Sequence, residues 1–465
     1  MTDLRRYQIV IGLTLLALTG CPQPAPPPPS PSGTVETPLR VMVVDDPPLA
    51  AALAREWLAH TEKKIDLVEV TTAKAAAAEQ LPVDVVICPP KLLGQFATRD
   101  LLLPLEESAL TDPAYERDEI LPALKDVETT WGRRTVAVPL GSPQLALWYR
   151  ADLLPAGTQP PRTWEEYAAL VEKFEKEPGE LKQITAEPLA DGWAARLLLA
   201  RAAAGALHRD QLSPLWNLET MEPLIANPPF VRALEQLAKD NRGAGERKLL
   251  SPVECYEKFQ AGECLFALGW PGQSVDGKST TLADKQYGVT QLPGSREMFQ
   301  PTSAKWEGVE NSETIHVPFL SASGRVAAVT RASAQPKIAT QFILWLSGPT
   351  VSGRAAAESR ATTVFRKSHL LGSWQAPAEL RQPLTMYGEV LFAQPLAGRR
   401  FALPRIPGSD EYLAALDRAV LATVKEEKPA QEALQTAAKE WQAITAARGL
   451  AKQQRTLRSS LGLGD

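Results

Sequence analysis

The sequence predicts an α/β protein built from more than one lobe, and three observations carry that reading. From residue 38 to residue 88, β-rich apolar runs alternate with helix-patterned stretches, the order expected of a parallel sheet covered on both faces. At 465 residues, the chain is longer than one simple hydrophobic core organises. Further on, two strand-like runs, "TVAVP" and "LALWYR", are interrupted by Gly141-Ser142-Pro143. Small residues at such a break can absorb the backbone rotation of a hinge.

Taken in order, "PLRVMVV" reads as a strand. It is followed by the polar turn Asp45-Asp46-Pro47-Pro48 and an apolar-periodic stretch to His60. "KKIDLVEV" and "VDVVIC" read as two more strands, with "TTAKAAAAEQ" helical between them. Ligands of open α/β sheets bind beyond the carboxyl ends of the strands, so Asp45, Asp46 and the Pro89-Pro90-Lys91 turn are candidate cleft residues. The same two aspartates also suit a solvated turn and helix start. Thr163-Trp164-Glu165-Glu166 and Ser251-Pro252-Val253-Glu254 spell capping boxes that open helices. "GWAARLLLARAAAGAL" and "QPKIATQFILWLSGP" read as helices, the latter stopped by Gly348-Pro349. "CLFALGWPG", "KQYGVTQLPG" and "GRVAAVT" read as strands. Residues 295–312 look like an irregular surface loop, and two amphipathic helices cover 410–425 and 429–447.

The N-terminus points to export. Arg5 and Arg6 precede an apolar run over residues 9–18, which is too short to span a bilayer as a helix. It ends at Leu18-Thr19-Gly20-Cys21, which resembles a bacterial lipobox. That resemblance implies a lipoprotein signal peptide over 1–20 and acylation of Cys21. The proline-rich residues 21–38 favour polyproline II and form a stiff tether reaching roughly 50 Å. The folded part then works outside the cytoplasm, in the periplasm or at the cell surface, anchored to the membrane.

Other features narrow the function. A net charge of −4 argues against a nucleic-acid partner. Beyond Cys21, the cysteines are Cys88, Cys255 and Cys264. An oxidising compartment allows Cys255 and Cys264 to pair, while their spacing is also compatible with three reduced thiols. The run from Gly272 to Ser279 fits the phosphate-loop pattern, but it lacks a substantial helix behind it and Pro271 abuts it. None of His60, His208, His316 and His369 falls in a zinc motif, and no nucleophile elbow is present. Nothing in these residues positively supports catalysis, although a glycosidase dyad can come from distant residues, and no cofactor or metal is expected.

Five blocks, in order, resemble the carbohydrate-associated extracellular solute-binding proteins of ABC importers, the relatives of maltose-binding protein. They are "VAVPLGSPQLALWYRADLLP" with "PPRTWEEYAALVEKF", then "YEKFQAGECLFALGWPG", "YGVTQLPG", "VPFLSASGRVAAVTRASAQPKIATQFILWLSGP", and the C-terminal helix pair. The resemblance spans about Leu39 to Gly449. Two departures bear on the ligand: Cys88-Pro89-Pro90 offers little to hold a sugar, and the 295–312 loop is longer than usual.

The resemblance implies a type II periplasmic-binding-protein fold, with crossover hinge strands and a ligand cleft between two lobes. Lobe one takes 39–142 plus 292–347, lobe two takes 143–291 plus 348–449, and 450–465 is a flexible tail. The implied function is a monomeric receptor that closes on a small solute, a sugar or oligosaccharide, and delivers it to a membrane permease. The alternatives are a sensor of the same fold not coupled to transport, and a surface glycoside hydrolase. Trp270 and Trp193 stand at positions where the family presents aromatics to the cleft. Trp148 and Tyr149 alternate on one strand, so at most one of them faces it. Ser142, Ser321 and Ser323 lie in crossover or strand-end loops and can supply hydrogen bonds.

Overall fold

The computed structural model describes residues 37–463, apart from 178, 180, 243–247, 273–285, 311–312 and 395–398. The expected signal peptide, Cys21, nearly all of the tether and most of the phosphate-loop-like run lie outside the described residues.

Two sheets organise the fold. In the first, the strands run in the order Ile65–Val70, Leu39–Val44, Val85–Cys88, Val326–Val329 and Val138–Pro139. The first three are parallel, as the alternating pattern predicts. Val326–Val329 then runs antiparallel to both its neighbours, so the sheet is mixed rather than wholly parallel. The reason is topological: this strand arrives from the far side of the molecule after a long excursion. The second sheet has the order Tyr287–Thr290, Ala146–Arg150, Cys264–Gly269 and Gln183–Ala186. All six residues of Cys264–Gly269 are buried, which explains its unbroken apolar sequence.

Local chemistry sets the helix starts. Ser251 and Glu254 form a reciprocal capping box. At the other predicted box, Thr163 Oγ1 accepts the Glu166 N–H at 3.2 Å, but the Glu166 carboxylate takes the Arg162 N–H instead of that of Thr163. The C-terminal pair, Ser409–Val424 and Ala430–Arg448, packs around stacked Trp216 and Trp441, whose centroids lie 4.6 Å apart.

The chain passes between the sheets at closely spaced segments. The outgoing crossover links Val138–Pro139 to Ala146–Arg150, and the return one leads into Val326–Val329. The two lie side by side: the Leu140 N–H donates to the Arg325 carbonyl at 2.8 Å, and the Arg325 N–H donates to that of Gly141 at 2.9 Å. Gly141 and Gly324 hold φ of 109° and 110°. A Cβ on Gly324 would stand 2.5 Å from Ser142 Oγ, and one on Gly141 would stand 2.6 Å from the Thr363 carbonyl oxygen. Only glycine fits such an approach at such a dihedral. A helix, Ala378–Phe392, clamps the outgoing crossover through Tyr387. The hydroxyl of Tyr387 accepts the Gln144 N–H at 2.8 Å and donates to the Gln144 carbonyl at 2.7 Å.

Several expectations need correction. Residues 295–312 are not simply irregular: Glu297–Gln300 and Lys305–Gly308 pair as an antiparallel hairpin, with Phe299 against Trp306. Residues 348–366 stay with the first sheet rather than joining the second lobe at 348. Buried Arg366 ties them there, donating to the Ser347, Glu116 and Tyr115 carbonyls. The expected flexible tail contains a helix, Leu450–Ser460, with Gln453, Thr456, Leu457 and Ser459 buried on one face. Its polar composition hides that face. The Gly132 N–H donates to its Ser459 carbonyl at 2.8 Å. Cys255 and Cys264 are both free, buried thiols, as is Cys88, whose thiol burial pushes up to about 12.

Gly324→Ala would force a side chain into the left-handed region and onto Ser142. We expect a loss of roughly 1–3 kcal/mol in urea unfolding; unchanged stability would show that the crossovers are not packed as tightly as described.

Candidate functional site

A cleft of about 630 Å³ opens where the ends of the two halves face each other. One wall follows the carboxyl ends of the first sheet's parallel strands, with Asp45, Thr72 and the Pro89-Pro90-Lys91 turn, and the amino end of the antiparallel Val326–Val329, with Ser321 to Ser323 and Arg325. The facing wall is made of Asp191, Gly192, Trp193 and Arg196, at the start of the helix Ala194–Ala206, and of Asp410, Leu413 and Asp417 on the helix Ser409–Val424.

The first wall is built on strained turns. Asp45 sits at φ 47° directly after its strand, and its carboxylate accepts the Thr72 N–H at 2.7 Å. That hydrogen bonding holds Asp45 below its ordinary value. Arg325 reaches under the turn, donating to the Asp45 carbonyl at 2.9 Å and pairing with Asp46 at 2.9 Å. Ser321 is also left-handed, at φ 62°.

The facing wall depends on Asp417. Its carboxylate accepts the N–H groups of Gly192 at 3.1 Å and Ala195 at 2.9 Å, capping a helix from more than 200 residues away. Burial raises Asp417 above the usual carboxylate range despite those bonds. Among the described residues lining the cleft, Trp193 is the one aromatic. Arg196 lies 5.3 Å from its ring centroid, and Trp270 packs behind it at 5.4 Å. Burial lowers the Arg196 guanidinium. Arg196 Nε and Trp270 Nε1 are buried without a hydrogen-bond partner. Lys91 Nζ meets Asp410 Oδ1 at 2.7 Å, so one ion pair joins the two walls.

The structure therefore brings Asp45, Ser321 and Trp193 to one cleft, together with the Pro89-Pro90-Lys91 turn and Ser323. It places four other candidates elsewhere. Asp46 is buried and caps the helix Pro47–Thr61 through the Leu49 N–H, while it also accepts the Ser359 hydroxyl and pairs with Arg325. Trp148 is fully buried, edge-on to Tyr256 at 4.8 Å, with Nε1 donating to the Gly269 carbonyl. Ser142 is buried beneath the crossovers, its hydroxyl directed at Glu128 and the Ser323 carbonyl. Trp270 is 3% exposed and supports Trp193 rather than lining the cleft. Thr72, Arg196, Asp410 and Asp417 were missed by the sequence reading. Of these, only Thr72 follows a strand end and carried a readable signal.

Among the described residues, no group of His, Cys, Asp or Glu could hold a metal ion. No described helix is long and apolar enough to cross a membrane.

The family profile described as bacterial extracellular solute-binding protein matches residues 45–352, well over half of the chain. The chain belongs to that family. Solved structures of solute-binding proteins share its two-lobed fold. An ABC transporter solute-binding protein from Agrobacterium radiobacter K84, in complex with ribitol, is 19% identical with a TM-score of 0.62, over 88% of this chain and 99% of its own. Maltose-bound MalE3 of T. maritima is 17% identical with a TM-score of 0.61, over 87% and 100%. The sugar-binding protein MalE of Xanthomonas citri is 19% identical with a TM-score of 0.62, over 89% and 98%. No curated protein matches the chain by sequence. The solute-binding family is one of extracytoplasmic binding proteins.

Lys91→Ala removes the ion pair across the cleft. With Asp410 half-exposed, the pair contributes no more than about 1 kcal/mol. We expect a larger radius of gyration by small-angle scattering at low salt, an effect that shrinks in high salt; identical curves would mean that the pair does not hold the walls together.

Proposed function

We propose that this protein is a lipid-anchored receptor that closes its two lobes on a sugar or oligosaccharide and delivers it, unaltered, to an ABC importer. The observation that carries this reading is the composition of the cleft. Hydrogen-bonding groups from both halves converge on a space of about 630 Å³ around a single indole face. A sugar presents hydroxyls on its edges and an apolar face, and Trp193 offers a flat apolar surface for the latter. The carboxylates of Asp45, Asp191 and Asp410 and the hydroxyls of Ser321 and Ser323 can pair with the edges. Structural neighbours bound to ribitol, maltose and maltotetraose support the solute class.

Closure follows from contacts on two walls. A ligand shifts the open–closed equilibrium only by the contacts it gains in the closed form, and here those contacts come from both halves. The sequence supports the remainder of the reading: the lipobox at Cys21 supplies the anchor, and the proline-rich tether keeps the receptor concentrated near its permease. The protein works as a monomer, without a cofactor.

A thermal-shift screen against ribitol, maltose, maltotetraose, amino acids and polyamines tests the reading. A ligand at 100 times its Kd adds about 2.7 kcal/mol of stability. Stabilisation by an amino acid or polyamine and by no sugar would overturn the solute class. With the sugar that stabilises most, Trp193→Ala should weaken calorimetric binding about tenfold or more, as removal of a central aromatic anchor does; equal affinity would exclude the indole from the site.

A further inference from the structure

Ser321 is carried into the cleft on a turn that the cleft itself does not hold. The group that holds it is Glu128, at the end of the helical turn Leu124–Glu128, with no exposed surface. Glu128 Oε1 accepts the Ser321 N–H at 2.5 Å, the Ser321 hydroxyl at 3.1 Å and the Ser142 hydroxyl at 3.0 Å. Ser142 belongs to the outgoing crossover and Ser321 to the return one, so a single carboxylate oxygen joins both. Ser321 needs such a tie, because φ of 62° is a disfavoured conformation for a residue with a side chain. The other oxygen, Oε2, is buried without a partner.

We propose that Glu128 is a positioning residue of the cleft: touching no ligand, it holds the strained Ser321 turn against the outgoing crossover, and its protonation state sets how tightly the two halves close. The inference rests on the receptor reading for its purpose, but not for its test.

Ionised, Glu128 can accept all three donors on Oε1. Protonated, it accepts more weakly and carries an O–H of its own. The Ser142 hydroxyl has one proton and a second acceptor already at hand, the Ser323 carbonyl at 2.7 Å. Protonation therefore lets Ser142 turn away and loosens the tie. Burial pushes the Glu128 carboxyl up to about 7, against the pull of the Ser142 and Ser321 hydrogen bonds. Arg405 favours the ionised form and donates to the Glu128 main-chain carbonyl at 2.9 Å, while burial lowers its own guanidinium to about 10. Arg325, on the return crossover, is engaged with Asp46. Tyr387, against the outgoing crossover, is pushed well up by burial.

The test compares the full chain with its Glu128→Gln variant by small-angle scattering between pH 5.5 and 8.5, without solute. The wild-type radius of gyration should grow as the pH falls through about 7, while Glu128→Gln stays near the expanded value throughout. Coincident curves for the two proteins would overturn the proposal. Stability gives a second readout with a defined sign. Between the ordinary carboxylate range and about pH 7, the native state keeps a proton on Glu128 that the unfolded chain has lost. The Glu128 contribution therefore falls as the pH rises through that window and is flat above it. Glu128→Gln should remove that slope from the pH profile of Tm, and an unchanged profile counts against the proposal. If Glu128→Gln fails to fold, Ser142→Ala carries the scattering test. It keeps the carboxyl but cuts its tie to the outgoing crossover, so a wild-type radius and pH response would again overturn the inference. A sugar bound with equal affinity by wild type and Glu128→Gln at pH 6 and pH 8 would remove the positioning role and leave the receptor reading intact; about tenfold weaker binding by the variant at pH 8 would support it.

Discussion

Everything in this molecule depends on how closely its crossing segments pass one another. The Leu140 N–H donates to the Arg325 carbonyl and the Arg325 N–H to that of Gly141, between the outgoing and return crossovers, and Gly324 lacks the side chain that would collide with Ser142. This contact is main-chain, and side chains add to it: Tyr387 clamps Gln144, and Arg405 donates to the Glu128 and Thr130 carbonyls. A single unsupported linker would have left the orientation of the two sheets undefined.

The cleft inherits its chemistry from that arrangement. Its near walls are turns and helix starts, where main-chain N–H groups point outward and a few carboxylates and hydroxyls answer them. Asp417 caps the Ala194–Ala206 helix from more than 200 residues away in sequence, and Asp45 holds the start of the helix at Thr72. These residues serve the fold and line the site at the same time. The site is stiff for that reason: moving a polar group that faces the cleft also costs a capped helix or a held turn. The Lys91–Asp410 pair differs, because it joins the two walls and belongs to neither.

Much of the fold was legible in sequence because its signals are local. Apolar runs bounded by turn residues gave the strands, and Ser251 with Glu254 opened a helix where expected. The strand-end rule made Asp45 and the Pro89-Pro90-Lys91 turn candidates, although Asp45 suited a solvated turn as well, and they line the cleft. The errors arose where one pattern serves two purposes. Asp46 and Asp45 are adjacent and chemically alike, yet one turns inward to Arg325 and Ser359 while the other faces the cleft. Trp270 stood first as the candidate sugar platform and Trp193 second. The structure puts Trp193 on the wall and Trp270 behind it, a matter of depth that no spacing encodes.

By itself, the sequence determined the class of the protein, the order of most of its strands and helices and the family likeness, because each of these is written in neighbouring residues. Only the tertiary structure decided which groups share the cleft and what holds them. Asp410 and Asp417 come from the far end of the chain, and Glu128 reaches Ser321 across almost 200 residues of sequence. Those meetings are fixed by where packed sheets and crossing strands bring distant segments, and by burial, which makes an ordinary glutamate into a proton-sensitive tie. Neither distance in space nor loss of water has a signature in the local run of residues.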